Sequence, residues 1–533
     1  MIWHCQRWIG RLLLLAAVAA GGPAWAEFDP VKAYPEASAV AARYPDPGVS
    51  YATPAFAVGK QDFTSQSEMM TYLRQLAERA PSMRLDVEAR SQQGRELPIL
   101  FFSRDQEMIG GGAKPVALII GQQHGNEPAG GEAALALAQR LGEGDLGGVL
   151  DTIDVIIVPR ANPDGADAFK RTLANGIDPN RDHTLQRTPE IRAIGALFLR
   201  YKPALVLDCH EFTVGGRWVE KVGGLERIDA MIQYATVPNL PPSLGRAEAE
   251  LFLPAILAAF DANGLTHEWY HTTDVSRLDA PVAMGGIGPD TGRNVAGLRN
   301  AVSFLLETRG VGIGRAHFAR RVHTHVVAAE AILKLAAANP GSFMALTQKA
   351  AAEASSSTSP LVIVAHQRPE KREMIFVDPS TGADKPVSIT WLSSLQIEPV
   401  LTRPRPAAYL LSGATSETIE ILARAGIVTH AATKAATIEA VRYRVDALAT
   451  GAKEDGRGDD VGAGAIVKGT YSLSHETVSI VPGDIYIPLD QPLAGLVAAL
   501  LEPESDTGLV ANRLVPAEKG QLLPISRLSR TPD

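Results

Sequence analysis

The feature of the sequence that most constrains the fold is a series of short segments that are almost wholly apolar. These segments are residues 116–120, 155–158, 204–207 and 302–306. Continuous apolar runs of this length are typical of strands that are buried on both faces of a sheet. Because stretches of helical periodicity such as 131–141 and 189–200 lie between them, we predict an α/β fold with a mixed, largely parallel sheet flanked by helices.

Composition divides the rest of the chain into regions. Residues 27–60 contain many Pro and Ala without a sustained period, which predicts an extended lead-in. The alternation of strands and helices occupies 61–340, and Asn339-Pro340-Gly341 predicts the end of its last helix. Residues 354–360 read Ala-Ser-Ser-Ser-Thr-Ser-Pro, a low-complexity composition that predicts a linker over 341–359. Residues 360–533 have strand-like segments, a helix near 416–425 and no constellation of His and acids, so we expect a smaller α+β accessory domain.

The first 26 residues have the composition of a secretory signal peptide. Arg7 and Arg11 form a short basic region, residues 12–20 are apolar, and Ala24-Trp25-Ala26 is a cleavage site of the A-x-A kind. The apolar run is shorter than the roughly 20 residues that a transmembrane helix needs, and no other stretch approaches that length. We therefore expect an exported protein, periplasmic or secreted, without stable membrane insertion after cleavage.

Charge and cysteine content exclude two other classes of protein. The 51 Lys and Arg against 59 Asp and Glu give a net charge of −8, which offers no electrostatic footprint for nucleic acid. Cys5 lies in the predicted signal peptide, so the exported chain has Cys209 alone and cannot depend on a disulfide framework. Neighbours along a strand point to opposite faces, so Cys209 and His210 are not expected to form a nucleophilic pair. A buried structural thiol is expected instead.

A pattern of metal ligands follows the first apolar segment. In Gly121-Gln122-Gln123-His124-Gly125-Asn126-Glu127, His124 and Glu127 are three apart and lie on one side of a helical turn, so both can reach a single ion. His210 is the best-placed third donor, because it follows the segment 204–207 at an edge of the sheet where ligands usually bind. Two histidines and a glutamate with an open fourth position describe a catalytic zinc site.

Polar residues also follow the other apolar segments. Asn162-Pro163-Asp164-Gly165 follows 155–158, and Arg171 and the segment from Gly176 to Arg181 come next. Glu307 ends the segment 302–306. Turn formation explains Asn-Pro-Asp-Gly, and solvated loops would explain the two arginines. Neither explains why polar side chains crowd the ends of so many apolar strands.

Together these motifs make residues 61–340 resemble the zinc carboxypeptidases, the M14 or carboxypeptidase A-like metallopeptidases. The motifs occur in the order of that family, although the 83 residues between the second and third ligands are fewer than in the pancreatic members. The resemblance implies one bound Zn²⁺ ion, with ligands from His124, Glu127 and His210.

The same resemblance implies roles for four more residues. By resemblance, Glu307 is the general base and Arg171 polarises the scissile carbonyl. Asn180 and Arg181 would receive the free terminal carboxylate of a peptide substrate. A carboxylate beside zinc can accept a proton from water and pass it to the leaving amine, and a guanidinium matches a carboxylate bidentately. We therefore expect a zinc metallocarboxypeptidase that hydrolyses the C-terminal peptide bond.

Two other functions stay open at this point. The segment His-Gly-Asn-Glu, a later histidine and Asn-Arg also resemble the amide deacylases of the succinylglutamate desuccinylase and aspartoacylase type. Asn162-Pro163-Asp164-Gly165, the export signal and the late Glu307 favour the peptidase. A third hypothesis is an inactive peptide-binding module with the same fold, and the complete set of His, Glu, His and Glu argues against it.

Several other histidines and a tyrosine are not assigned to the site. His267-Glu268-Trp269-Tyr270-His271 matches the H-E-x-x-H motif of another zinc protease class, which requires a helix. The segment is rich in residues that favour a strand, in which its two histidines would lie about 13 Å apart. His323 and His325 face different ways in a predicted helix and are expected to be surface or packing residues. Tyr270 and residues 290–294 are candidates for the tyrosine that pancreatic members carry before the base, and neither receives a role.

Overall fold

The computed structural model describes residues 28–112, 114–274, 277–453 and 464–532. The predicted signal peptide and most of the Gly- and Asp-rich loop after residue 451 lie outside these ranges. The strands, in chain order, are β1 (Met83–Asp86), β2 (Ile99–Phe102), β3 (Val116–Gly121), β4 (Asp154–Val158), β5 (Leu205–Thr213), β6 (Ala230–Tyr234), β7 (His267–Trp269), β8 (His271–Thr273), β9 (Val282–Met284), β10 (Val302–Val311), β11 (Leu361–Val377), β12 (Asp384–Arg403), β13 (Ala408–Leu411), β14 (His430–Ala431), β15 (Ala436–Gly451), β16 (Ile466–Ile480), β17 (Ile485–Pro488) and β18 (Leu522–Leu528). The α-helices are α1 (Ser38–Ala41), α2 (Gln66–Arg79), α3 (Pro128–Glu143), α4 (Val149–Thr152), α5 (Pro163–Asp167), α6 (Pro189–Tyr201), α7 (Arg217–Val222), α8 (Pro242–Ala247), α9 (Leu253–Ala262), α10 (Gly292–Leu298), α11 (Phe318–Ala338), α12 (Pro340–Ser356), α13 (Ser416–Arg424) and α14 (Ala494–Leu501).

An eight-stranded sheet forms the centre of the N-terminal part of the chain, in the order β1-β2-β4-β3-β5-β10-β6-β7. Its four middle strands, β4, β3, β5 and β10, run parallel to one another. β1 and β2 are antiparallel at one edge, and β6 pairs antiparallel with β10 towards the other edge. The predicted α/β fold with a mixed, largely parallel sheet is confirmed.

Helices cover both faces of this sheet because successive side chains of a buried strand point to opposite faces. In β3, Ile119 belongs to the core that contains Leu137 of α3. Its neighbour Leu118 belongs to a separate core with Ile194 of α6. All of these side chains are almost fully buried, and each buried aliphatic side chain contributes about 1.5–3 kcal/mol to stability. The near-continuous apolar composition of the strands thus follows from burial on two sides.

The C-terminal part of the chain adds two further sheets. The long hairpin β11–β12 joins β9 and β8 in a four-stranded sheet, with β12 parallel to β9. Strands β13 to β18 form a six-stranded sheet in the order β14-β17-β13-β18-β15-β16. With α13 and α14 packed against it, this region has the α+β character that its sequence predicts.

The predicted linker 341–359 is wrong for most of its length, because α12 occupies Pro340–Ser356. Phe343 and Ala350 are buried on its inner face, and Glu353 accepts a hydrogen bond from the backbone of Ser243 at 3.0 Å. The Ala-rich middle of the segment favours a helix and outweighs the Ser-rich end. Residues 357–360 alone separate α12 from β11.

The predicted extended lead-in contains short helical segments and packs against the sheet domain. Tyr44 and Tyr51 are buried, and Glu36 forms an ion pair with Arg309 of β10 at 2.6 Å. The division of the chain into a catalytic region at 61–340 and an accessory region at 360–533 stays a prediction. Within the described ranges, none of the helices combines the length and the apolar character needed to cross a lipid bilayer.

Candidate active site

Three donor atoms converge at the C-terminal end of the parallel strands. His124 and Glu127 lie in the turn between β3 and α3, where the Glu127 N–H donates to the His124 carbonyl at 3.2 Å. His210 lies within β5, which continues to Thr213 instead of ending before the histidine. The predicted helical turn is therefore a tight turn, and Glu127 is the residue that precedes the first turn of α3.

Gly125 allows this turn to form. A Cβ atom at this position would lie 1.9 Å from the carbonyl carbon of Gly165, at the segment that carries α5. Pro128 starts α3 immediately after Glu127, and proline favours the first helical position because its fixed φ suits a helix. The backbone thus passes close to a neighbouring loop and directs the side chains of His124 and Glu127 towards β5.

The donor atoms have the spacing of ligands around one ion. The Nδ1 atom of His124 lies 2.8 Å from Oε1 of Glu127 and 3.0 Å from Nδ1 of His210. Nδ1 of His210 lies 3.0 Å from Oε2 of Glu127. Zinc with bonds of about 2.0–2.2 Å keeps tetrahedral ligand atoms roughly 3.3–3.6 Å apart, so these donor atoms need to separate by only about half an ångström to bind an ion. The three residues, each at most 2% exposed, therefore fit a zinc ion.

Two aspartates orient the imidazole rings. Nε2 of His124 lies 3.0 Å from Oδ1 of Asp178, and Nε2 of His210 lies 2.9 Å from Oδ1 of Asp208. A ring N–H that donates to a carboxylate leaves the other nitrogen with a lone pair for a metal. Asp208 also accepts a hydrogen bond from Nε2 of Gln123 at 2.7 Å. The motif reasoning missed both aspartates, although Asp178 stands in Asp-Pro-Asn-Arg and Asp208 stands two residues before His210.

The donor cluster is rich in buried negative charge and attracts cations. Burial raises the pKa of Asp178, but the Arg171 guanidinium and His124 outweigh this effect and hold that pKa well below its usual range. Nε and Nη2 of Arg171 both donate to Oδ2 of Asp178, at 3.1 and 2.9 Å. Nη1 of Arg171 lies 3.0 Å from Nδ1 of His124 and 3.1 Å from Oε1 of Glu127. The guanidinium thus contacts Nδ1 of His124 and Oε1 of Glu127, the atoms that would also bind a divalent cation.

The four other residues of the sequence-predicted site line one cavity of about 380 Å³ together with His124. They are Arg171, Asn180, Arg181 and Glu307. Glu307 lies within β10 opposite His210 of β5, and it is 7% exposed. β10 continues to Val311, so Glu307 does not end the strand as predicted.

Asn180 and Arg181 lie in the short 3₁₀ segment Pro179–Arg181. Oδ1 of Asn180 accepts a hydrogen bond from the N–H of Gly292 at 2.7 Å. Nη1 of Arg181 donates to the carbonyl of Asn180 at 2.7 Å. The structure thus brings the seven predicted site residues to one end of the sheet.

The rest of the cavity wall comes from two further regions, of which the sequence singled out Tyr270 and residues 290–294 without giving them a role. Tyr270 and Arg293 line it, as do residues 285–291 of the loop before α10. The C-terminal region contributes residues 362–365, Lys453 and residues 504–507, and Nζ of Lys453 bonds Oδ2 of Asp290. The C-terminal residues are so far from the motifs in sequence that their contacts leave no trace in local periodicity, so no signal in the sequence could have found these residues.

The competing histidine motif does not form a metal site. His267 and His271 lie on β7 and β8, as their composition predicts. Nε2 of His267 lies 3.2 Å from Asp261, whereas Nε2 of His271 lies 3.1 Å from Glu226. Because each imidazole has a different acidic partner, the segment does not gather ligands as a zincin helix does.

Three other residues act in packing. His323 and His325 lie on α11 and are both buried, with Tyr51 OH 2.7 Å from Nδ1 of His323. Cys209 is buried and free. Burial and the adjacent Asp208 raise the pKa of its thiol well above the usual value, so the thiolate needed for nucleophilic chemistry is disfavoured.

Comparisons with known proteins agree with this geometry. A family model described as zinc carboxypeptidase matches residues 69–212, which include the three donor residues. The probable carboxypeptidase 2 of Trichophyton verrucosum is 31% identical over 369 residues, which cover 67% of this chain and 70% of the relative. The chain belongs to the zinc carboxypeptidase family.

Family membership confirms the resemblance that the motifs indicated and makes the protein a peptide-bond hydrolase. Carboxypeptidase 2 of Trichophyton rubrum is 28% identical over 487 residues, which cover 89% of this chain and 88% of the relative. Among solved structures, a metallo-carboxypeptidase from Pseudomonas aeruginosa matches with 20% identity and a TM-score of 0.40, over 53% of this chain and 70% of that chain. The comparisons favour the peptidase over the deacylase.

Proposed function

We propose that this protein is a zinc-dependent metallocarboxypeptidase that hydrolyses the C-terminal bond of peptides with a free terminal carboxylate. His124, Glu127 and His210 would hold the ion. The observation that carries the proposal is the convergence of their donor atoms within 4.8 Å of one another, on the wall of a cavity that also contains an acid and two arginines. When bound, zinc supplies Lewis acidity, which makes water a stronger acid and polarises a carbonyl group.

Glu307 is the proposed general base. Its pairing with His210 across β5 and β10 puts its carboxylate on the cavity wall beside the donor atoms. A carboxylate in this position accepts a proton from the attacking water. The same carboxylate then passes that proton to the leaving amine.

Arg171 is the proposed electrophile. Asp178 holds Nε and Nη2 of Arg171 in a fixed orientation, which directs Nη1 to the donor cluster. A guanidinium held in this way stabilises the negative charge that develops on the scissile carbonyl oxygen without reorganising during the reaction.

Arg181 and Asn180 are the proposed receptors of the terminal carboxylate. The fork of a guanidinium matches a carboxylate in a bidentate manner. Arg181 and His124 line the same cavity, so a chain end bound at Arg181 brings its last peptide bond towards the donor cluster. Such an arrangement cleaves one residue from the end of a peptide.

We also propose export to the periplasm or the medium, which the composition of residues 1–26 supports. The catalytic domain would occupy 61–340 and the accessory domain 360–533. The accessory region lines the cavity through residues such as Lys453, which supports a role for it in substrate access.

Metal content and substrate class test the proposal together. The purified protein is expected to contain one zinc ion and to hydrolyse a blocked dipeptide faster than an N-acylamino acid. The His124→Ala variant should lose the zinc measured by mass spectrometry, whereas the matched His267→Ala variant should keep it. Hydrolysis of N-acylamino acids alone would contradict the peptidase, and loss of zinc in His267→Ala alone would contradict the ligand set.

A further inference from the structure

Arg293 is a buried cation in the wall of the cavity. It is the second residue of α10, it is 3% exposed, and it lines the same cavity as Arg181 and Glu307. Its Nη2 atom donates to the Gly286 carbonyl at 2.7 Å. Its Nε atom is buried and has no hydrogen-bond partner among the described residues. Within the described ranges, the guanidinium thus donates to one neutral acceptor, and its Nε–H group is left to donate to a further acceptor.

Other buried arginines of this protein have an acidic partner or donate from all of their nitrogens, although Nε of Arg403, like that of Arg293, has no hydrogen-bond partner among the described residues. Arg321 donates to Glu211 at 2.7 Å, and Arg403 donates to Glu502 at 2.6 Å. Arg160 has no acidic partner but donates from Nε, Nη1 and Nη2 to neutral acceptors. Burying a cation without an ion pair is unfavourable, and burial lowers the pKa of Arg293 to about 10, although the charges of Asp208 and Glu307 act in the opposite direction. An anion that enters the cavity and pairs with Arg293 would offset the unfavourable free energy of burying its charge.

The position of Arg293 relates it to the proposed receptor of the chain end. The preceding residue, Gly292, donates its N–H to Asn180. Nη2 of Arg293 and the ring of Tyr270 both lie against Gly285, where an added Cβ would meet them at 2.8 and 2.6 Å. The guanidinium therefore forms part of the wall beside the place where Asn180 and Arg181 would hold a terminal carboxylate. If Asn180 and Arg181 hold the terminal carboxylate, the side chain of the last substrate residue would face this wall.

We infer that Arg293 selects peptides whose C-terminal residue is glutamate or aspartate. The inference rests on the proposed function, because it assigns the last side chain of a carboxypeptidase substrate. A C-terminal acidic residue carries two carboxylates, one for Arg181 and Asn180 and one for Arg293. An apolar side chain would leave Arg293 buried without an acidic hydrogen-bond partner, and a basic side chain would be repelled. Asp290, the acidic residue of the neighbouring loop, is already paired with Lys453.

The test is a series of blocked dipeptides that differ only in the C-terminal residue, with Glu, Gln, Leu or Arg. Glu and Gln have nearly the same shape, so their ratio of kcat/KM isolates the effect of charge. We expect the zinc-loaded wild type to prefer Glu over Gln by about tenfold or more. The Arg293→Met variant keeps the length of the side chain and should bring the ratio close to one. Arg293→Lys should retain part of the preference.

Arg299→Met is the matched control. Arg299 is half-buried, its Nε atom also lacks a partner among the described residues, and burial lowers its pKa to about 10. It lies over the ring of Phe198, 5.2 Å from the ring centroid, and is not among the residues that line the cavity. Its loss should leave the ratio of Glu to Gln unchanged, so a change specific to Arg293 reports substrate recognition and not general loss of a buried charge.

The outcomes separate this inference from the proposed function. A wild type that cleaves the Leu or Arg dipeptide faster than the Glu dipeptide, or a Glu preference that persists in Arg293→Met, overturns the role of Arg293 but leaves the carboxypeptidase intact. A zinc-loaded wild type that cleaves none of the four dipeptides overturns both. If Arg293→Met does not fold, the wild-type profile and the Arg293→Lys ratio decide the question.

Discussion

At the scale of single residues, the proposed zinc site depends on carboxylates that lie behind the imidazole rings. Oδ1 of Asp208 lies 2.9 Å from Nε2 of His210 and accepts from Gln123. The Asp208→Asn variant should bind zinc about 10–100-fold more weakly, because the ring loses its charged partner. Competition with a chelating dye measures this affinity. Asp154→Asn is the control, since Asp154 is equally buried but accepts from Ser103, and an equal loss of affinity in that variant would contradict the assignment.

Glu307 offers a second test at this scale. Glu307→Gln preserves the shape of the side chain but removes its ability to accept a proton. We expect zinc content and thermal stability to stay near those of the wild type, while kcat for a blocked dipeptide falls by roughly 10²–10⁴-fold. Near-normal turnover in this variant would refute the role of Glu307 as the base.

His325 predicts how stability depends on pH. It is buried, with Nε2 3.1 Å from the Thr308 hydroxyl, and burial lowers its pKa from 6.5 to about 3. Below pH 6.5 the unfolded chain therefore takes up a proton that the folded chain does not, so stability falls as the pH falls. Between pH 6.5 and about 4.5, His325 should therefore lower the free energy of unfolding by about 2–3 kcal/mol.

Urea unfolding at several pH values measures this effect as a difference between variants. His325→Gln keeps a polar partner for Thr308 and should lose less stability on acidification than the wild type does. The exposed His430 provides the control variant His430→Gln, which should follow the wild type. Parallel acid sensitivity in all three proteins would rule out His325 as a source of the effect.

At the scale of elements, the turn between β3 and α3 decides whether two of the proposed ligands point at β5. A Cβ at position 125 would overlap the backbone of Gly165, so Gly125→Ala must push the turn away from α5. We expect a loss of about 1–3 kcal/mol in stability from overpacking, together with reduced zinc content. Gly48→Ala is the control, because an added Cβ there meets no atom within 4 Å. Full zinc binding by Gly125→Ala would show that the turn tolerates displacement.

The same scale shows what local sequence can and cannot predict. The sequence predicts β3, β4, β5 and β10 correctly, because strands that are buried on both faces consist of continuous apolar residues. The ends of these strands are harder to locate from the sequence. β5 and β10 continue through His210 and Glu307, which are polar but still pair with each other in the sheet. The three proposed ligands and Glu307 were found because they follow apolar runs. Asp178 was not, because its contact with His124 joins residues far apart in sequence, and Asp208 was not, because an aspartate two residues before a histidine in a strand is no ligand motif.

At the scale of the whole molecule, the C-terminal region shares a core with the N-terminal region. Leu185, Val237 and Leu298 pack in one cluster with residues of α13, α14 and the six-stranded sheet. Asn239 exchanges hydrogen bonds with the backbone of Val362 in both directions, at 2.9 Å. The low-complexity sequence at the end of α12 led to the prediction of a linker between two domains. Composition indicates how flexible a segment is by itself, but it does not show which residues of the two regions pack against each other.

This shared core predicts a single cooperative unfolding transition. Leu298, at the end of α10, is 3% exposed, and its Cδ2 atom would lie 2.8 Å from a Cβ added to Gly495 of α14. Leu298→Ala leaves a cavity between the two regions and should cost about 2–5 kcal/mol. Because each region buries surface of the other, the loss should destabilise both together. Leu199→Ala removes a side chain that is 51% exposed and should change the stability by less than about 0.5 kcal/mol.

Denaturant unfolding followed by tryptophan fluorescence and by far-UV circular dichroism checks this expectation. Trp218 of α7 and Trp391 of β12 are buried in one cluster, so their fluorescence reports the unfolding of that cluster, whereas the dichroism averages all of the helices and strands. The two signals should give coincident curves, and Leu298→Ala should shift both to lower denaturant by the same amount. Two separate transitions, of which Leu298→Ala moves one, would mean that the accessory region folds as an independent unit. Substrate access through residues such as Lys453 would then be free to change without affecting the stability of the proposed zinc site.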